Sequence, residues 1–181
     1  MKALNFNDWA KNDRINEIGD GSVDSGMHLM TQNRHDHKGW GFSTKGKSWY
    51  YTYFEKKEKH WLESYGLYDI IGDKKAWETS YGVQNKVGDK PDFTTTTNKG
   101  EQYEIMSTVI EITGEFLKHF KGDADVIIAK PTKDGKNDTR RLKFYKTYLD
   151  KTKLFKKVEI IKPSGDNPWR STDEIILMWV R

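Results

Sequence analysis

Apolar side chains at Met106, Val109, Ile110, Thr113, Phe116, Leu117 and Phe120 recur at spacings of three and four. That period predicts a long helix with one stripe turned to a sheet, ended near Gly122. A second amphipathic helix is predicted over 137–151, with Asn137 or Asp138 as N-cap and Leu142, Tyr145 and Leu149 on one face. Strands are predicted where the period drops to two or a short apolar run stands between turns. "SWYYTYFEK" is dense in rings, and "AWETSYGV" puts Trp77, Thr79 and Tyr81 on one side. "DFTTTT", "ADVIIAKP", "FKKVEIIK" and "DEIILMWV" complete the set. "WLESYGLYDII" reads equally as helix or strand, and a short helix is predicted within "LNFNDWAKNDRINEI".

In this order the elements predict an antiparallel meander over about 48–97, followed by strand, helix, strand, helix and two strands. The expected fold class is α/β or α+β: a mixed, mainly antiparallel sheet flanked by two main helices. Residues 1–47 show no clear period and are expected to form an irregular N-terminal arm or cap. Residues 48–181 are expected to form a single domain.

Composition narrows the chemistry. The 181 residues include no cysteine, so disulfides, thiolate metal sites and cysteine nucleophiles are excluded. Aromatics make up 13% of the chain, which argues for a ring-rich core rather than disorder. The net charge of +4 is the small difference between 31 basic and 27 acidic residues, spread along the chain. A polar, solvated surface accounts for it. "SWYYTYFEKKEKHW" interleaves rings with lysines in the manner of single-strand binders, but a strand with one aromatic face in the core explains it equally, and nucleic acid is not the expected partner. No run is long enough to span a membrane, and no signal peptide is read at the start.

The histidines of "RHDHKGW" alternate, so His35 and His37 would share a strand face. No third ligand completes a recognised spacing, and no metal is expected. The stretch "TTTTNKGEQYEI" turns from strand to helix through Gly100. Such a turn either cradles an anion on unpaired amides or simply starts a helix.

The meander, the glycine turn into a helix, the strand and the second helix carrying Tyr145 resemble the GCN5-related N-acetyltransferases over roughly residues 76–181. The resemblance implies an acyl-CoA-dependent N-acyltransferase. It implies acetyl-CoA as cofactor, with its pyrophosphate against Thr97, Asn98, Lys99, Gly100 and Gln102, and Asn137 at the start of the later helix. It implies Tyr145 as the acid that protonates the departing thiolate and Glu78, from the meander, as base. This sequence departs from the family pattern in carrying Glu101 beside the turn and Gln102 where a second small residue belongs. "GEQYEIMSTVIEITGEFL" and the later "RRLKFYKTYL" also resemble small proteins of tailed bacteriophages. That resemblance implies a host-cytoplasm or virion location. It leaves open a non-enzymatic accessory or virion-associated protein, with no cofactor, that binds another phage or host protein.

Overall fold

This computed structural model describes residues 28–45, 48–84, 90–92, 101–120, 122–131, 140–163 and 174–181. The first strands are β1 (His28–Asn33), β2 (His37–Ser43) and β3 (Trp49–Lys57). They pair antiparallel in sequence order. The first two correct the expectation of an irregular arm up to residue 47. In β2 the buried Trp40 and Phe42 alternate with Gly39 and Gly41, so past His37 only one face carries large side chains. The bare face serves a close approach: a Cβ on Gly39 would stand 1.9 Å from the Tyr51 hydroxyl oxygen, because the Tyr51 ring lies across it. The N-terminal helix predicted in residues 4–18 lies outside the described residues.

The ambiguous stretch after β3 is helical, as α1 (Lys59–Ser64) and α2 (Tyr68–Ile71). Then come β4 (Ala76–Gln84), α3 (Gln102–His119), β5 (Val126–Ala129), α4 (Arg140–Lys151), β6 (Phe155–Ile161) and β7 (Ile175–Val180). Of the predicted strand "DFTTTT" only Asp92 is described, as a single antiparallel bridge to Val83. Gly122, with φ of 85°, makes the turn after α3 that a Cβ would strain.

The seven strands form one sheet in the order β1-β2-β3-β4-β5-β7-β6. All pairs are antiparallel except β4 with β5. A parallel pair needs a crossover, which α3 supplies. The fold is α+β, with a mostly antiparallel sheet. Four helices are described where two main flanking helices were expected: α3 and α4 on one face, and the short α1 and α2 on part of the other.

The inner face packs on α3 and α4. Trp40, Phe42, Tyr50, Phe54 and Trp77 of the strands meet Ile105, Ile112 and Phe116 of α3 and Leu142 and Leu149 of α4. Rings dominate it: Phe54 and Phe116 stack with centroids 4.2 Å apart, and the rings of Trp77 and Trp40 meet Phe116 edge-on. The outer face is covered over β4, β5 and β7, where Leu62, Leu67 and Ile71 of α1, α2 and their link bury Ala76, Val126, Ile128, Ile175 and Leu177. No described helix is long and apolar enough to cross a membrane.

Candidate functional site

The one parallel pair among the described strands is also where the sheet parts. β4 and β5 are in register for four residue pairs, from Ala76–Val126 to Thr79–Ala129. β5 stops there, while β4 runs on to Gln84. Farther along, the chain returns and pairs with β4 again: Val83 and Asp92 exchange backbone hydrogen bonds of 2.9 and 2.8 Å. Residues 80–82 lie between these two pairings.

Side chains on both faces lie close to this opening. On the inner face Tyr81, two residues past the last β4–β5 pair, has its hydroxyl 2.5 Å from the Tyr145 hydroxyl of α4. Tyr145 is half-buried, and Phe144 lies 5.7 Å from it, centroid to centroid. On the outer face Glu78 is 9% exposed and stands directly across from Glu55 of β3. Like charges so placed repel. Lys57 resolves this, with its Nζ 2.5 Å from Glu55 Oε2 and 2.6 Å from Glu78 Oε2. Lys130, the residue after β5, places its Nζ 2.8 Å from Glu78 Oε1. Burial alone would lower the Lys57 ammonium, but its hydrogen bonds to Glu55 and Glu78 outweigh that and hold it above its usual value. Burial, with the Glu78 and Glu55 carboxylates adding to it, pushes the neighbouring Tyr53 hydroxyl far above the ordinary phenol range.

The start of α3 is built differently. Glu101, its N-cap residue, is buried and accepts hydrogen bonds from the Thr44 hydroxyl at 2.8 Å and the Tyr50 hydroxyl at 2.7 Å. Glu104, in the first turn, accepts from the Lys45 amide at 2.7 Å. Two carboxylates therefore stand at the positive end of the helix dipole and bind the end of β2 to it.

The residues predicted from sequence fall in three places. Glu78 and Tyr145 both reach β4 next to the parting, on opposite faces. Gln102 is the exposed first residue of α3. Thr97, Asn98, Lys99, Gly100 and Asn137 lie outside the described residues. Sequence reasoning missed Tyr81, Lys57 and Lys130. Tyr81 carried a signal, since it shares the period-2 face of Trp77 and Thr79. The lysines carried none, because only strand register brings them to one carboxylate. His35 sits in the β1–β2 turn while His37 opens β2, and among the described residues no three metal-ligating side chains cluster.

His37 has another use. Its ring stacks on Tyr53 at 5.4 Å, and its Nε2 shares a 3.2 Å hydrogen bond with the Tyr51 hydroxyl. Burial lowers it from the ordinary 6.5, Arg34 and Lys57 add to that, and Glu55 and Asp36 oppose it. The folded chain thus releases this proton more readily than the unfolded chain. The stabilisation is complete above pH 6.5 and is lost as pH falls through the lowered value. Denaturant melts between about pH 5 and 7.5 should show stability rising with pH, and His37→Asn should flatten that slope. An unchanged slope in the variant would remove His37 as its source.

No family model matches this chain, and no curated protein does either.

Proposed function

We propose that the protein is an acyl-CoA-dependent N-acyltransferase of GCN5-related type, with the acyl group received where β4 and β5 part. The observation that carries this reading is the position of Tyr145: its hydroxyl meets that of Tyr81 beside the only parallel pair among the described strands, just past the last β4–β5 pairing. The residues at the opening fit a thioester, offering a hydroxyl pair next to an interrupted strand edge. Those at the start of α3 suit a pyrophosphate less well, because Glu101 and Glu104 already compensate the helix dipole there. Contacts to phosphate would fall to Thr97, Asn98, Lys99, Gly100 and Gln102, with Asn137 near the later helix.

When bound, acetyl-CoA supplies an acyl group activated as a thioester. Tyr145 holds a proton at its hydroxyl oxygen, and Tyr81, in hydrogen-bond contact, keeps that hydroxyl oriented and can return a proton to it. A general acid so placed contributes about 10²–10⁴-fold in rate. Glu78 is the proposed base for an acceptor amine that approaches from the outer face, across the parting from Tyr145. Its oxygens already meet Lys57 and Lys130, so it takes a proton only after one lysine yields.

One observation favours a second reading. The carboxylates at the start of α3 suit a non-enzymatic scaffold that binds another phage or host protein in the host cytoplasm or the virion. Calorimetric titration with acetyl-CoA separates the two. The enzyme reading expects binding that stabilises the fold by about 2.7 kcal/mol at 100 times the dissociation constant. It expects loss of binding in Gly100→Asp, and acyl transfer slowed at least about 100-fold with binding retained in Tyr145→Phe. No binding at millimolar acetyl-CoA would leave the scaffold reading.

A further inference from the structure

Lys130 occupies a corner made of three groups that each suit an ammonium ion. Its Nζ lies 4.5 Å from the Trp61 ring centroid, 4.3 Å from that of Tyr65 and 2.8 Å from Glu78 Oε1. The two rings are one helical turn apart on α1 and its C-cap, with centroids 4.2 Å apart and planes 33° apart, so together they form an aromatic wall. The carboxylate closes the third side and is itself fixed from behind by Lys57, whose Nζ also lies 4.9 Å from the Trp61 centroid. The two lysines are held unequally. Lys57 belongs to β3, bonds two acids and has a side chain only 9% exposed. Lys130 lies beyond the end of β5, bonds one carboxylate oxygen and has a side chain 31% exposed. The wall is thus part of α1 and its C-cap, while its occupant is the more exposed lysine, on a segment past the β5 ladder.

We infer that the Trp61–Tyr65–Glu78 corner is a binding site for a primary alkylammonium group, such as a lysine side chain of a partner or a small diamine, and that Lys130 is a tethered occupant which such a ligand displaces. The ligand class follows from the chemistry. The rings attract any cation, but Glu78 Oε1 at 2.8 Å requires an N–H donor, which a quaternary ammonium lacks. The stem of such a ligand would add apolar contact beside the rings. This site shares Glu78 with the acyltransferase reading but does not depend on it, and its test uses no acyl-CoA.

The experiment compares the wild-type chain with Lys130→Ala, measuring thermal stability against n-butylammonium chloride, with n-butanol and tetramethylammonium chloride as controls at equal ionic strength. Removing the tethered competitor should let n-butylammonium stabilise Lys130→Ala at concentrations roughly tenfold lower than the wild type needs. Neither control should do so, and adding Trp61→Leu should abolish the response. An equal response in wild type and Lys130→Ala, an equal effect of tetramethylammonium, or a response that survives Trp61→Leu would overturn the inference. Should Lys130→Ala fail to fold, the wild-type chain with ¹³C-methylated lysines answers the same question. The Lys130 methyl resonance, shifted by the two rings, should move to the position of a solvated lysine as n-butylammonium is added. A resonance that stays in place would rule the displacement out.

Discussion

Phe116→Ala should lower the unfolding free energy by about 3–5 kcal/mol, the range for truncating a fully buried phenylalanine. Phe116 is 0% exposed and is the ring on which the inner core converges. It stacks on Phe54 with planes only 3° apart, meets Trp77 at 5.1 Å and Trp40 at 6.4 Å, and lies 5.4 Å from Phe120, the C-cap of its own helix. These contacts join β2, β3, β4 and α3, so the cavity left by alanine would border four elements and could not close by moving one side chain. Guanidinium melts with intrinsic tryptophan fluorescence would measure the loss, since Trp40 and Trp77 report the same site. Phe116→Leu should lose less, because it keeps most of the volume. A loss below about 1 kcal/mol for alanine would mean that the rings do not pack as described.

Phe116 was legible in the sequence. It sits on the predicted stripe of the long helix, and Gly122 was read correctly as the turn that follows. The stripe itself was displaced. Ile105 and Ile112 are fully buried, while Val109, Ile110 and Leu117 are only partly so. A helix covered by a broad sheet on one side and by α4 at its edge buries more than one line of side chains, and a single period cannot show which neighbour takes which line. The strands from β3 onward were legible because ring-rich alternation or a short apolar run between turns marks them. β1 and β2 were not, since glycine alternation in "KGWGFS" is invisible until Tyr51 is seen lying across Gly39. Of the candidate site, Tyr145 and Glu78 could be named from resemblance, but their partners could not. Tyr81, Lys57 and Lys130 reach them through strand register and crossover, which join residues far apart in the chain.

Glu78→Ala carries the second large effect. The substitution would leave Lys130 over the aromatic wall with no carboxylate, and Lys57 with Glu55 alone. Removing one member of a buried ion pair destabilises by about 3–5 kcal/mol because the remaining charge is left desolvated. The expected loss is near the lower end, about 3 kcal/mol, since Lys57 keeps Glu55 and the Lys130 side chain is 31% exposed and can turn to water. Adding Lys130→Met should recover part of the loss, and a double-mutant cycle should give a coupling of about 0.5–3 kcal/mol. Additive effects would show that the two side chains do not interact in solution. The sign also bears on chemistry. A carboxylate that holds two lysines is a structural junction first, and acts as a base only when one of them moves.

The most direct test of the account is hydrogen–deuterium exchange with and without millimolar acetyl-CoA. The account predicts slower exchange in residues 80–84 of β4 and residues 129–131 at and just past the end of β5, extending to α4 around Tyr145, with little change in β1 and β2. Unchanged exchange throughout, or protection confined to regions away from the parting of β4 and β5, would contradict it.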